Sequence, residues 1–240
     1  MPYYYGYGFD WTYLVLVMPC ILLSLWASSN VNSTFKKYSK QFSSRRLTGA
    51  EAAQRVLSAN GVRGVRIDRV SGNLTDHYDP KTNVIRLSDS VYSSTSTAAI
   101  GVACHEAGHA VQYAENYAPI KLRAAIIPLT NFGSQIAMPL ILAGILLTAL
   151  GSFSDTLVYL GIAAFGMSLV FQIVTLPVEF NASRRAMEAI SGGNLLTEEE
   201  QRGARKTLTA AALTYVAATA VALAQLLRLI MLFGNRRRRD

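Results

Sequence analysis

Four stretches of the chain are apolar over a length that approaches or exceeds what crossing a hydrocarbon core needs: Trp11 to Ala27, Ser134 to Leu150, Leu157 to Leu176 and Thr207 to Phe233. Polar stretches at 28–123 and 177–206 separate them, so the order is one anchor, a polar region, a helical hairpin over 134–176, a second polar region and a last hydrophobic helix. The first polar region changes period along its length. Thr48-Gly-Ala-Glu51 is a capping box and predicts a short helix through Ala52, Ala53, Val56 and Leu57, ended at Gly61. Val65 to Val70 alternates loosely, and Leu74 to Tyr78 is joined through Asp79-Pro80-Lys81-Thr82-Asn83 to Val84 to Leu87, which predicts two or three short strands with a hairpin. Ser93 to Thr97 then supply N-cap hydroxyls for a helix of about twenty residues that runs through small and apolar positions and stops near Pro119. The expected fold is a mainly α membrane protein over 1–240 as a single domain: about four hydrophobic helices and a small α+β unit.

Composition agrees with that pattern. At 240 residues and 51% apolar, the chain is too oily for an ordinary soluble domain. Met1 to Asp10 carries no Lys or Arg, so the first span reads as a retained anchor instead of a cleaved signal, and its tyrosines with Trp11 and Tyr13 read as an aromatic belt. The net charge of +8 sits at membrane flanks: Lys36, Lys37, Lys40, Arg45 and Arg46, then Lys121 and Arg123, then Arg236 to Arg239. Anionic headgroups of the lipid bilayer are the implied partner, and no aromatic-interleaved basic patch points to nucleic acid. Basic residues at 28–46, 121–123 and 184–206 favour a cytoplasmic location for both polar stretches at the cell membrane, with the turn at Gly151 to Asp155 outside. Arg236 to Arg239 oppose this arrangement if the last helix crosses fully, and Arg228 within that helix is costly at a bilayer centre. Cys20 and Cys104 suggest no disulfide framework, and Cys104 reads as a small buried hydrophobe.

The chemistry lies in His105-Glu106-Ala107-Gly108-His109, an H-E-x-x-H motif in the middle of the expected helix. Residues four apart share a helical face, so His105 and His109 can each offer a ring nitrogen to one Zn²⁺ at about 2.0–2.1 Å. Glu106 lies about 100° round the helix, where it reaches a water held by the ion and can act as general base. A peptidase zinc keeps three protein ligands and an open position, so a third must come from elsewhere. Glu115 is excluded, because a continuous helix carries it roughly 9 Å along the axis from His109. His77 and Glu179 remain. Glu179 is favoured by its place: Pro177 suits the first turn of a new helix over 177–206, just past the third span.

These residues resemble the membrane-bound neutral zinc metallopeptidases of the YugP type. The resemblance runs through Thr75-Asp-His-Tyr-Asp-Pro80, Arg86-Leu-Ser88, His105-Glu-Ala-Gly-His109, Leu176-Pro-Val-Glu-Phe-Asn-Ala-Ser183 and Ala210-Ala-Ala-Leu-Thr-Tyr-Val-Ala217. It implies His105, His109 and Glu179 as ligands of one zinc ion and Glu106 as the base. Distant zinc peptidases with a Glu ligand often place an aspartate four residues after it to orient a histidine. Ser183 stands there in this chain, and His77, Asp76, Asn181 and Arg184 are further candidates for contacts behind the ligands or to the transition state. The implied function is a membrane-anchored zinc endopeptidase acting on a polypeptide, which the bilayer position suggests is membrane-associated. An intramembrane zinc protease fits less well, because the motif helix has polar ends and its apolar run falls short of about 18 residues. A non-catalytic scaffold with a structural zinc would have no use for Glu106 beside an open coordination position.

Overall fold

A computed structural model describes residues 10–234 of the chain; the tyrosines before Asp10 and the arginine tail Arg236 to Arg239 lie outside the described residues. A π-helical turn Tyr13–Val17 leads into α1 (Met18–Tyr38), followed by α2 (Gly49–Ala59), β1 (Arg66–Val70), β2 (His77–Asp79), β3 (Val84–Ser88), α3 (Asp89–Tyr92), α4 (Thr97–Ala114), α5 (Ala118–Leu146), α6 (Ser152–Gly192) and α7 (Glu198–Phe233). Four of these helices are long and apolar enough to cross a membrane: Tyr13–Tyr38, Ala118–Leu146, Ser152–Gly192 and Glu198–Phe233. The expected α class with a small α+β unit is what the chain adopts.

Several local expectations hold in detail. Thr48 and Glu51 form the reciprocal capping box at the start of α2. The three strands form one sheet in the order β1-β3-β2, with β2 and β3 the antiparallel hairpin and β1 parallel to β3. Central β3 is almost wholly buried, whereas β1 and β2 are edges. Ser96 caps α4, its hydroxyl accepting from the Ala99 amide at 3.2 Å. That helix ends at Ala114, earlier than Pro119, because Asn116 takes a left-handed turn (φ 59°) and Pro119 serves as the second residue of α5.

Pro177 does not open a new helix: it lies inside α6, a single helix of 41 residues. Proline removes one backbone donor there, but Val178, Ala182, Ala186 and Ile190 are fully buried along one stripe of the same helix, and that packing outweighs the local breaking signal. The second and fourth hydrophobic helices are also longer than their apolar runs. α5 begins at Ala118 and tolerates Pro128 and Pro139, and α7 begins at Glu198.

The described residues divide into two compact units. Ala27–Ala125 and Val174–Val216 make up one. Its core joins Val56 and Leu57 of α2, Ile85 and Leu87 of β3, Ile100, Ala103 and Ala107 of α4, Ile190 of α6 and Leu208 of α7. Small residues let its helices approach closely: a Cβ on Gly108 would stand 2.8 Å from the Ala182 carbonyl oxygen, and one on Gly101 would stand 3.2 Å from Ala204. The other unit has a core of Ile141, Val158, Ile162 and Leu229. In it Arg228 donates to Asp10 through Nε at 2.9 Å and through Nη2, and its guanidinium lies 5.2 Å from the Tyr13 ring centre.

Candidate metal centre

The centre forms where the middle of α4 meets α6. The one-turn spacing of His105 and His109 brings their rings together edge to face, centroids 4.7 Å apart. Glu179 sends Oε2 toward both, 3.3 Å from Nε2 of His105 and 3.6 Å from Nε2 of His109. The three side chains are a group that could hold a metal ion, their ligand atoms all within 4.8 Å of one another. Glu179 is buried, and no hydrogen bond of proper geometry satisfies Oε2.

Behind the ligands, hydrogen bonds fix which atoms face inward. Gln112, one turn on from His109 and fully buried, donates from Nε2 to the Val178 carbonyl and to Asn181 Oδ1, each at 2.9 Å. A carbonyl only accepts, so the Gln112 amide can stand one way round, with Oε1 toward His109 Nδ1 at 2.9 Å. His109 therefore carries its proton on Nδ1 and presents the Nε2 lone pair to a carboxylate oxygen. Two acceptors facing each other at this distance need a proton or a metal ion between them. Tetrahedral ligands at about 2.0–2.1 Å from an ion lie about 3.4 Å apart, close to the separations found here. Burial pushes the His109 ring toward its neutral form, yet the carboxylates of Glu179 and Glu106 outweigh it and hold the ring above its ordinary value, so this corner of the site favours a positive charge, which a proton or a metal ion can supply.

His105 is oriented by Ser183, whose Oγ lies 3.1 Å from Nδ1. The hydroxyl thus occupies the place where the motif comparison led us to look for an aspartate. Glu179 is itself held by Arg123, which donates from Nη1 to Oε1 at 3.2 Å, and by the Tyr215 hydroxyl. Oε1 is thereby engaged and Oε2 is left for the histidines.

A cavity of about 230 Å³ opens on the group, lined by His105, Glu106, Glu179, Ser183 and Tyr215 on one side. Asp76 reaches it from the loop before β2, accepting from the Ser88 amide at 2.7 Å and hydroxyl at 3.0 Å. Burial raises its carboxyl above the usual range against the pull of those bonds, and the Glu106 carboxylate adds to the rise. The other sequence candidates lie elsewhere. His77 is exposed on β2 with Nδ1 2.8 Å from the Thr75 carbonyl, and it is outside the metal-capable group. Arg184 is exposed and paired with Glu188, and Glu115 is paired with Arg185. Asn181 stands behind the site, bridging Gln112 and Arg185. Cys104 is fully buried and its thiol is pushed up to about 12, so it is no nucleophile.

Three residues escaped the sequence reading. Gln112 follows His109 by three positions and so shares its face, a spacing that was open to inspection. Tyr215 is an aromatic residue in an alanine-rich run. Arg123 carried no signal, since beside Lys121 it looks like an ordinary basic flank.

The chain matches the protein family described as "Putative neutral zinc metallopeptidase" over residues 13–234. It is 47% identical over 225 residues to "Putative membrane protease YugP" of Bacillus subtilis (strain 168), an alignment covering 94% of this chain and 98% of that one. No solved structure matches the chain. A match that takes in both histidines, Glu106 and Glu179, with identity of this extent, establishes that the chain belongs to this neutral zinc metallopeptidase family.

Proposed function

We propose that the protein is a membrane-anchored zinc endopeptidase, with His105, His109 and Glu179 as ligands of one ion and Glu106 as the general base. The observation that carries this reading is the inward-facing His109 Nε2 lone pair opposite the unsatisfied Glu179 Oε2, in the same cavity as a free-standing base position at Glu106. Zinc, when bound, acidifies water and polarises a carbonyl. The residues of the chain do the rest. Glu106 takes the proton of the attacking water as its oxygen bonds to the scissile carbonyl carbon, and returns that proton to the amine as the C–N bond breaks. Ser183 and Gln112 keep the two rings in place, and Arg123 keeps Glu179 from turning. β2 is an edge of the sheet and packs beside α4, so an extended substrate can add to it as a further strand.

Four helices able to cross a bilayer support the membrane part of this reading, and the basic flanks favour a site on the cytoplasmic side of the cell membrane. The test is Glu106→Gln in the purified full-length protein, with zinc content and turnover of an unstructured protein such as casein measured on one sample. Zinc should stay and turnover should fall about 10²–10⁴-fold, as for loss of a general base. Turnover within tenfold of the unaltered protein would remove Glu106 from the mechanism.

A further inference from the structure

Part of the lining of the cavity differs in kind from the metal-capable group. Val102 of α4, Leu208, Ala211 and Ala212 of α7 and Val31 of α1 make an apolar surface continuous with His105 and Glu106. Leu208 and Ala212 are buried, while Val31, Val102 and Ala211 are half-buried and form the reachable part. The carboxylates that share the lining are Asp76, Glu106 and Glu179.

We infer that this apolar surface is a specificity subsite that takes an aliphatic side chain of the substrate, on a residue flanking the bond that is cut. The inference rests on the peptidase reading above and deepens it by naming the substrate class. A peptide carbonyl presented to His105 and Glu106 has its neighbouring side chains within one residue's reach of the same cavity, which at about 230 Å³ has room for one such chain and not for an extended segment. Water is a poor occupant of a surface made of Val, Leu and Ala, so an aliphatic group gains by displacing it. An acidic side chain meets both desolvation and three carboxyl groups of the same lining, and is rejected. Alanine at 211 and 212 sets the depth. A larger residue at either position would fill the space that the substrate side chain enters.

The test uses full-length protein in detergent with zinc, and a series of quenched fluorescent peptides carrying Leu, Ala, Phe or Asp on each side of one cleavage point. The unaltered protein should prefer Leu to Asp on one side by roughly ten- to a hundredfold in kcat/KM. Ala211→Leu should lower turnover of the Leu peptide about tenfold and spare the Ala peptide, and Val102→Ala should shift preference the other way, toward Phe. In the Glu106→Gln background the same rank order should appear in peptide binding by fluorescence anisotropy. If peptides are cut but both substitutions leave the ratios unchanged, or Asp is preferred, the subsite is wrong and the peptidase reading stands. If the zinc-loaded unaltered protein cuts nothing, the peptidase reading fails and takes the subsite with it.

Discussion

At the scale of single residues, the centre is an arrangement of hydrogen-bond directions as much as of ligands. The Val178 carbonyl fixes Gln112, Gln112 fixes the His109 tautomer, and the tautomer leaves Nε2 free. A zinc titration of purified variants separates these layers. His105→Ala, His109→Ala and Glu179→Ala should each empty the site, His77→Ala should leave it full, and Gln112→Leu should weaken zinc about 10–100-fold by releasing the ring it orients. A full site in Glu179→Ala with an empty one in His77→Ala would reverse the assignment of the third ligand. His105, Glu106 and His109 were legible because one motif fixes all three on one helix. Glu179 was reached through its position past the third apolar run and through the family resemblance, although the helix start read at Pro177 is not there. Arg123 was not legible at all: its role comes from α5 passing Glu179, and nothing in residues 118–123 records that.

The elements were read best where the chain carries its own punctuation. The Thr48 box, the Ser96 cap and the hairpin around Pro80 are local chemistry and appear where the sequence put them. A second box, in which the Thr197 amide donates to Glu200 at 3.0 Å and the Glu200 amide to Thr197 at 3.3 Å, starts α7 and was equally open to reading. Pro177 misled because a proline signals a helix start only when nothing else holds the chain helical, and here a buried stripe does. The contact between α4 and α6 offers a test in which two effects oppose. Alanine is a better helix former than glycine by about 1 kcal/mol, so Gly108→Ala would stabilise α4 in isolation. In the protein its Cβ would stand 2.8 Å from the Ala182 carbonyl oxygen, and both helices at that contact carry residues of the metal-capable group. We expect the contact to win, with a lower melting temperature and weaker zinc binding; a raised melting temperature with unchanged affinity would show that α6 yields freely.

For the whole molecule, the open quantity is which way it faces. Three basic stretches against one basic tail favour the cytoplasmic zinc site proposed above. On a background with Cys20 and Cys104 replaced, Ser152→Cys in sealed cells should react with an impermeant thiol reagent and Lys40→Cys should not. Reaction at position 40 would overturn the assignment. Arg228 bears on the last helix. Its partner Asp10 stands just before the first helical turn, so the guanidinium lies beside the start of the first apolar helix and the end of α7 beside the beginning of the described chain. That pairing also has a consequence for cohesion. Asp10 and Arg228 stand 218 positions apart, so the pair acts as a clasp between the first apolar helix and the last, and loss of either charge strands the other beside an apolar helix.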